Sequence, residues 1–305
     1  MQVKVWGTRG SMAKASGNFL TYGGNTSSIT VRTPANSLLF LDAGTGIQYA
    51  TAELDQPAEK IYLGLSHTHA DHTQGLGMSG VPFVNFRPWF SGKKVILMGP
   101  PGVVQGLRQF YDGSRNWPVK ATDDSNDKPN MPAIDFGNAL ELKDGGEYEI
   151  DASTKLKTLR GNHPVDGSSI FFRFESGGRS VIYATDNEFD WKGGLVPNED
   201  AESFKERYMK FIEKADVLLA DAQYTREKYI EKKPMDVRGW GHAYIDQIID
   251  LAGRAGVESI MPTHHDTPNT DSLLTEIENA AKDFAKKQGY SAEVVFAREG
   301  MVINL

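Results

Sequence analysis

The chain contains no cysteine. That excludes a disulfide framework and every thiolate metal site, so any metal must rely on nitrogen and oxygen ligands. No uninterrupted apolar run approaches the length of a membrane span, and the opening MQVKVWGTRGS lacks the apolar core of a signal peptide. No membrane association is expected, and a cytoplasmic location follows by default. Basic residues are outnumbered, 33 Lys and Arg against 40 Asp and Glu, for a net charge of −7. This disfavours broad electrostatic binding to nucleic acid or an anionic membrane, though not a local basic pocket. No short-period repeat or low-complexity tract stands out.

What remains is the composition of a soluble globular protein: 305 residues, 39% hydrophobic and 24% charged, enough for a sizeable core. Apolar runs closed by Gly, Pro or Asp read as strands: QVKVWG, SSITVRT, SLLFLDAG, KIYLGLS and KKVILMG, followed by the helical spacing of GVVQGLRQFYD. A second set follows in STKLKTLRG, SSIFFRFES and RSVIYATD, then a charged helix over 201–214, the strand DVLLAD and a helix from about Tyr244. The strand VESIMPTHH and a helix over 271–287 follow, and short strands close the chain. Two similar rounds of strands and helices predict two sheets packed face to face with helices outside, a four-layer α/β sandwich. No composition break marks a second domain, so 1–305 reads as one domain. The Asp-, Asn-, Pro- and Lys-rich stretch 114–132 reads as a surface insertion.

The seven histidines are His67, His69, His72, His163, His242, His264 and His265, each in a Gly-, Pro- or Asp-flanked segment at an expected strand end. Such segments are where sites are built. Three of them fall with Asp71 inside LSHTHADHTQGL. So many imidazoles beside a carboxylate are costly to assemble without a cation. If the backbone after Leu65 is extended, His67 and His69 point the same way and could grip one ion. Asp71 and His72 follow a further bend and could grip a second. His163, His264 and Asp186 are suitable completions, with the Asp186 carboxylate placed to bridge both ions. Two cations about 3.5–4 Å apart can clamp the oxygens of a phosphoryl group. Imidazole and carboxylate suit zinc first, and manganese or iron as well.

The motif HTHADH, followed in order by His163, Asp186 and His264, resembles the His-x-His-x-Asp-His signature of the metallo-β-lactamase superfamily. WGTRGS, YGGNTSS, LLFLDAGTGI, DVLLADAQYT, GWGHAY and THHDTP are similar to motifs of its phosphodiesterase branch, which includes RNase Z and small cyclic-nucleotide phosphodiesterases. The resemblance covers almost the whole chain and implies an αββα fold with two divalent metals. It implies that His67, His69 and His163 hold one metal, that Asp71, His72 and His264 hold the other, and that Asp186 bridges. His265 stands as the alternative to His264, and Asp42 is expected to orient an imidazole. By the same resemblance His242 acts as general acid or charge stabiliser, oriented by Asp221, and Asp71 helps to orient the attacking oxygen. Asp221 replaces the Glu usual in RNase Z, and Ala243 and Tyr244 replace a Ser-Thr pair, removing a hydroxyl helix cap.

RNase Z carries a long basic arm between the positions of His163 and Asp186, where this chain has room only for a short strand pair. The expected substrate is therefore a small cyclic phosphodiester, a 3′,5′-cyclic nucleotide, with no stable nucleic-acid complex. An RNA 3′-end nuclease, a ribose cyclic-phosphate phosphodiesterase, a thioester or lactam hydrolase and a non-catalytic metal-binding regulator are the alternatives. A homodimer is expected from relatives. Phe86, Trp89, Phe90, Phe110, Tyr111 and Trp117 could stack on a base, or pack in a core or dimer contact. Thr8, Arg9, Ser11, Asn25 and Thr26 could contact phosphate or ribose, or simply shape turns.

Overall fold

A computed structural model describes residues 1–77, 79–82, 93–113, 134–165, 168–193 and 199–305. The expected insertion at 114–132, and Phe86, Trp89, Phe90 and Trp117, lie outside the described residues. The strands are β1 (Gln2–Gly7), β2 (Ser28–Arg32), β3 (Leu38–Leu41), β4 (Ile61–Gly64), β5 (Val95–Gly99) and β6 (Ile134–Glu141). They continue as β7 (Glu147–Asp151), β8 (Thr154–Arg160), β9 (Ile170–Ser176) and β10 (Arg179–Ala184). The last are β11 (Val217–Asp221), β12 (Ser259–Thr263), β13 (Glu293–Val294) and β14 (Val302–Asn304). One sheet runs β14-β1-β2-β3-β4-β5-β6 and the other β13-β12-β11-β10-β9-β8-β7. Each has an antiparallel part and a parallel part: β3 through β6 in the first sheet, β10 through β13 in the second.

Strand alternation sorts the core into layers. In β3, Leu39 and Leu41 join a cluster shared with Phe172, Phe174, Val217 and Leu219 of the other sheet, so these fill the space between sheets. Leu38 and Phe40 face the other way, with Ile47 of helix α1 (Ile47–Ala50) and Leu107, which lies two helices later. That later helix is α3 (Val103–Phe110), after the single turn α2 (Ala70–Thr73). In β11, Leu218 and Ala220 pack outward on Phe204 and Tyr208 of α4 (Ala201–Ile212). The short α5 (Arg226–Ile230) precedes α6 (Ile245–Arg254) and α7 (Asp271–Gln288), whose Ile248, Ile249 and Leu274 complete that outer layer. The order helix, sheet, sheet, helix is the four-layer sandwich the sequence predicts.

Between His163 and Asp186 the chain makes the β9–β10 hairpin, turning at Gly177 and Gly178, whose φ values of 59° and 79° suit a tight turn that side chains resist. Tyr244, at the N-cap of helix α6, makes no side-chain capping hydrogen bond, as the missing hydroxyl pair implies. No helix among the described residues is long and apolar enough to cross a membrane.

Candidate metal centre

The two parallel runs of strands bring their C-terminal ends together, and the loops leaving them carry the polar residues. Asp42 follows β3 and the His67–His72 loop follows β4. His163 leaves β8, Asp186 follows β10, Asp221 ends β11 and His264 follows β12. After a bend at Ser66 the backbone reaches His69, which is extended, and then turns into α2, which holds Asp71 and His72. Asp42, Asp186 and His264 sit at φ of 58°, 56° and 61°, a left-handed conformation costly for side-chain-bearing residues.

Two triads result. His67, His69 and His163 converge in one, and Asp71, His72 and His264 in the other. Asp186 lies between them. Its Oδ1 is 3.8 Å from His67 Nε2 and 3.6 Å from His163 Nε2, whereas its Oδ2 is 3.1 Å from His72 Nε2 and 3.4 Å from His264 Nε2. One carboxylate oxygen thus faces each triad.

Hydrogen bonds behind the imidazoles fix which nitrogen points inward. His72 Nδ1 donates to Asp42 Oδ2 at 2.8 Å, His163 Nδ1 to the Gly241 carbonyl at 2.9 Å, and His264 Nδ1 to Gln223 Oε1 at 2.8 Å. The Ser66 hydroxyl donates to Asp42 at 2.9 Å and so accepts from His67 Nδ1 at 3.0 Å. Every one of these rings, when neutral, therefore presents an Nε2 lone pair to the centre. His163 Nε2 faces His69 Nδ1 at 3.0 Å, His72 Nε2 faces His264 Nε2 at 3.3 Å, and buried His67 Nε2 has no hydrogen-bond partner. The His72 and His264 lone pairs aimed at one another repel, and buried carboxylates at Asp42, Asp71 and Asp186 add negative charge. Cations between them turn both penalties into attraction. The donor set fits divalent metal ions with nitrogen and oxygen preference.

The electrostatics agree. Burial pushes His163 down to about 3 and holds His67 well below the ordinary imidazole value, which keeps both neutral and able to ligate. Burial opposes a charge on His72 too, but the carboxylates of Asp186, Asp71 and Asp42 outweigh it and hold the ring well above its usual value. The site is thus built to stabilise positive charge. Despite burial, the neighbouring imidazoles keep Asp186 and Asp71 well below the usual carboxylate range.

His242 lies on the rim of the same cluster, its ring stacked 4.9 Å from His264. Its Nδ1 donates to Asp221 Oδ2 at 2.7 Å. Burial works against its charge, yet Asp221 raises it to about 9, which favours the protonated ring. His242 and Asp221 also converge with Asp186 and His264, which allows a ligand role by distance alone.

The adjacent histidine is turned away. His265 Nε2 meets the Ala297 carbonyl at 2.9 Å, and its ring stacks on Phe296. Several sequence candidates for substrate contact are also spent elsewhere. Buried Arg9 donates to the carbonyls of Gly23 and Asn269, and Thr8 to that of Tyr22, so both shape loops. Thr26 accepts from the Thr45 amide, and Asn25 pairs with Glu299. Tyr111 is buried, its hydroxyl donating to the Thr73 carbonyl, and Phe110 packs at the edge of the outer core. Only Ser11 of that set touches the centre, its amide donating to Asp71 Oδ2 at 2.7 Å.

Sequence reasoning missed Gln223, Ser66, Tyr183 and the Gly241 carbonyl. Gln223 reaches His264 because Asp221 and Thr263 are register partners in β11 and β12, a pairing no local motif reveals.

Residues 39–265 match the family model described as the beta-lactamase superfamily domain, and the chain belongs to that superfamily. It has the metallo-β-lactamase fold. Among solved structures it is similar to unliganded yeast PDE1, at 13% identity and a TM-score of 0.68, covering 100% of this chain and 99% of that one. Human tRNase Z, short form, matches at 17% identity and a TM-score of 0.61, over 100% and 99% of the two chains. Zn(2+)-bound PqqB from Methylobacterium extorquens matches at 15% and 0.64, over 100% of each. Identities this low establish the fold alone. No curated protein sequence matches the chain.

Proposed function

We propose that this protein is a two-metal phosphodiesterase that hydrolyses a small cyclic phosphodiester, 3′,5′-cyclic nucleotides first, to the monophosphate. The observation that carries the reading is His242, its Nδ1 held by buried Asp221, at the rim of a twin triad joined by one carboxylate. Two divalent ions, zinc by preference, would be held by His67, His69 and His163 and by Asp71, His72 and His264, with Asp186 between. Such ions supply Lewis acidity toward phosphoryl oxygens and a more acidic water at neutral pH.

The chain's own residues do the rest. The Ser11 amide fixes Asp71 Oδ2, and the Asp71 carboxylate orients the attacking water. Water oxygen joins phosphorus as the bond to the 3′ oxygen breaks, and the proton the water loses passes to solvent, from which His242 is reprotonated after the turnover. His242 gives its proton to that departing oxygen, and Asp221 stabilises and aims the ring. The likeness of GWGHAY to motifs of the phosphodiesterase branch counts against a thioester or lactam hydrolase.

Small size of substrate is supported by three features. The hairpin β9–β10 stands where RNase Z has its arm, the net charge is −7, and a cavity of about 380 Å³ opens beside His69. Thr68, Pro100, Gln105, Gln109 and Pro164 line that cavity, which offers amides and flat apolar walls for a base.

The test is a substrate panel with zinc-loaded protein: purine and pyrimidine cyclic nucleotides, a ribose cyclic phosphate, a tRNA precursor, a thioester and a bis-aryl phosphate. Cyclic nucleotides are expected to turn over fastest. Cleavage of the aryl ester without any cyclic nucleotide would keep the chemistry and discard the substrate. His242→Ala is expected to lower turnover about 10²–10⁴-fold, the usual worth of a general acid, with both metals retained. Metal loss in that variant would make His242 a ligand instead.

A further inference from the structure

Glu188 has no solvent exposure, and its described partners are neutral donors. Its Oε1 accepts from the Tyr229 hydroxyl at 2.6 Å, both oxygens lie 2.9 Å from the Gly239 amide, and Oε2 accepts from the Gly241 amide at 2.8 Å. A buried carboxylate is expensive, and here its charge is spent on gripping one loop. Gly239 and Gly241 both have φ of 86°, which aims their amides at the same carboxylate and leaves Trp240, 51% exposed, between them.

That loop feeds the metal centre at two points. The Gly241 carbonyl takes the Nδ1 proton of His163, and His242 follows directly. The approach is close: a Cβ on Gly241 would lie 2.1 Å from His163 Nδ1. The Glu188 main chain holds the other side of His163. Its amide donates to the Asn162 carbonyl at 2.9 Å, and Asn162 Nδ2 donates back to the Glu188 carbonyl at 2.5 Å. The backbone that carries His163 and the carbonyl that orients its ring are thus both referenced to one residue.

We propose that Glu188 is a positioning residue of the metal centre, setting the loop that fixes His163 and presents His242. This rests on the two-metal reading above. The second triad has a separate support in Gln223, which orients His264, so the two ions should respond to different substitutions.

The experiment compares zinc binding and turnover in wild type, Glu188→Ala, Glu188→Gln and Gln223→Ala. Zinc affinities come from competition with a chromophoric chelator, folding from circular dichroism and melting. Glu188→Ala is expected to weaken one of two zinc ions about 10–100-fold, as loss of an outer partner does, and leave the other unchanged. Gln223→Ala should weaken the other ion. A glutamine keeps one acceptor oxygen for the glycine amides while its NH₂ donates to Tyr229, so Glu188→Gln should recover part of the affinity. Turnover should fall through kcat, with KM little changed, because His242 is displaced rather than the substrate cavity. If Glu188→Ala does not fold, Glu188→Gln carries the test, with a smaller selective loss expected. Equal weakening of both ions, or wild-type affinities and kcat in folded Glu188 variants, overturns the role. Wild type that binds fewer than two ions would overturn the two-metal reading itself.

Discussion

Asp42 accepts from the Ser66 amide at 2.7 Å, the Ser66 hydroxyl at 2.9 Å, and His72 Nδ1 and the Tyr183 hydroxyl at 2.8 Å each, with no solvent access. Through Ser66 it governs His67 as well as His72, and so it sets one ring in each triad. Asp42→Asn offers a single acceptor oxygen and turns an NH₂ toward existing donors. The variant should lose about 1–3 kcal/mol of stability and about 10–100-fold in zinc affinity. Denaturant unfolding and zinc competition measure the two, and an unchanged zinc affinity would show that the imidazoles hold their orientation without it. At this scale the sequence was informative where chemistry is local. His67, His69, Asp71 and His72 announce themselves within six residues, and Asp42 stands out at the end of an apolar strand. Gln223 does not, because an amide two residues past a strand looks like any turn residue until the neighbouring strand is in register.

The strands of the sandwich owe their faces to alternation. Leu218 and Leu219 are neighbours in β11, both with no exposure, yet one packs on the outer helices and the other between sheets. Leu218→Ala and Leu219→Ala should each cost about 2–5 kcal/mol in denaturant unfolding. A much smaller loss for either would mean that its layer closes over the cavity. Central strands were legible because they are buried on both faces and read as unbroken apolar runs. The strands at one edge of each sheet, β6 with IDFGNALE and β7 with EYEID, were not. Edges carry polar and charged residues that resist further pairing, and that disguise hides them from a pattern reading. The single turn α2 was likewise visible only as a bend.

Over the whole molecule, the centre joins the two rounds of the chain. One sheet's loops supply His67, His69, Asp71 and His72, and the other's supply His163, Asp186 and His264. Metal ions bound there would tie the sheets together at their open ends, beyond the reach of the inter-sheet core. Zinc held at a hundred times its dissociation constant should add about 2.7 kcal/mol to unfolding stability. Melting with zinc and after chelation tests this, and identical curves would mean that the pocket gains nothing from its ions. The layered architecture was predictable because the two rounds repeat in composition and order. How the rounds meet was not, since that depends on twist and register across a hundred residues and more.

Asp42, Asp186 and His264 share one backbone peculiarity, a φ near 60°. Glycine would rest there without steric strain. Evolution for heat tolerance alone, in a medium stripped of zinc, would be tempted to erase Asp186 and His264, the very side chains on which turnover would depend. Robustness and activity are set against each other at the same few atoms, so thermostable descendants of this sequence should be screened for hydrolysis before they are kept.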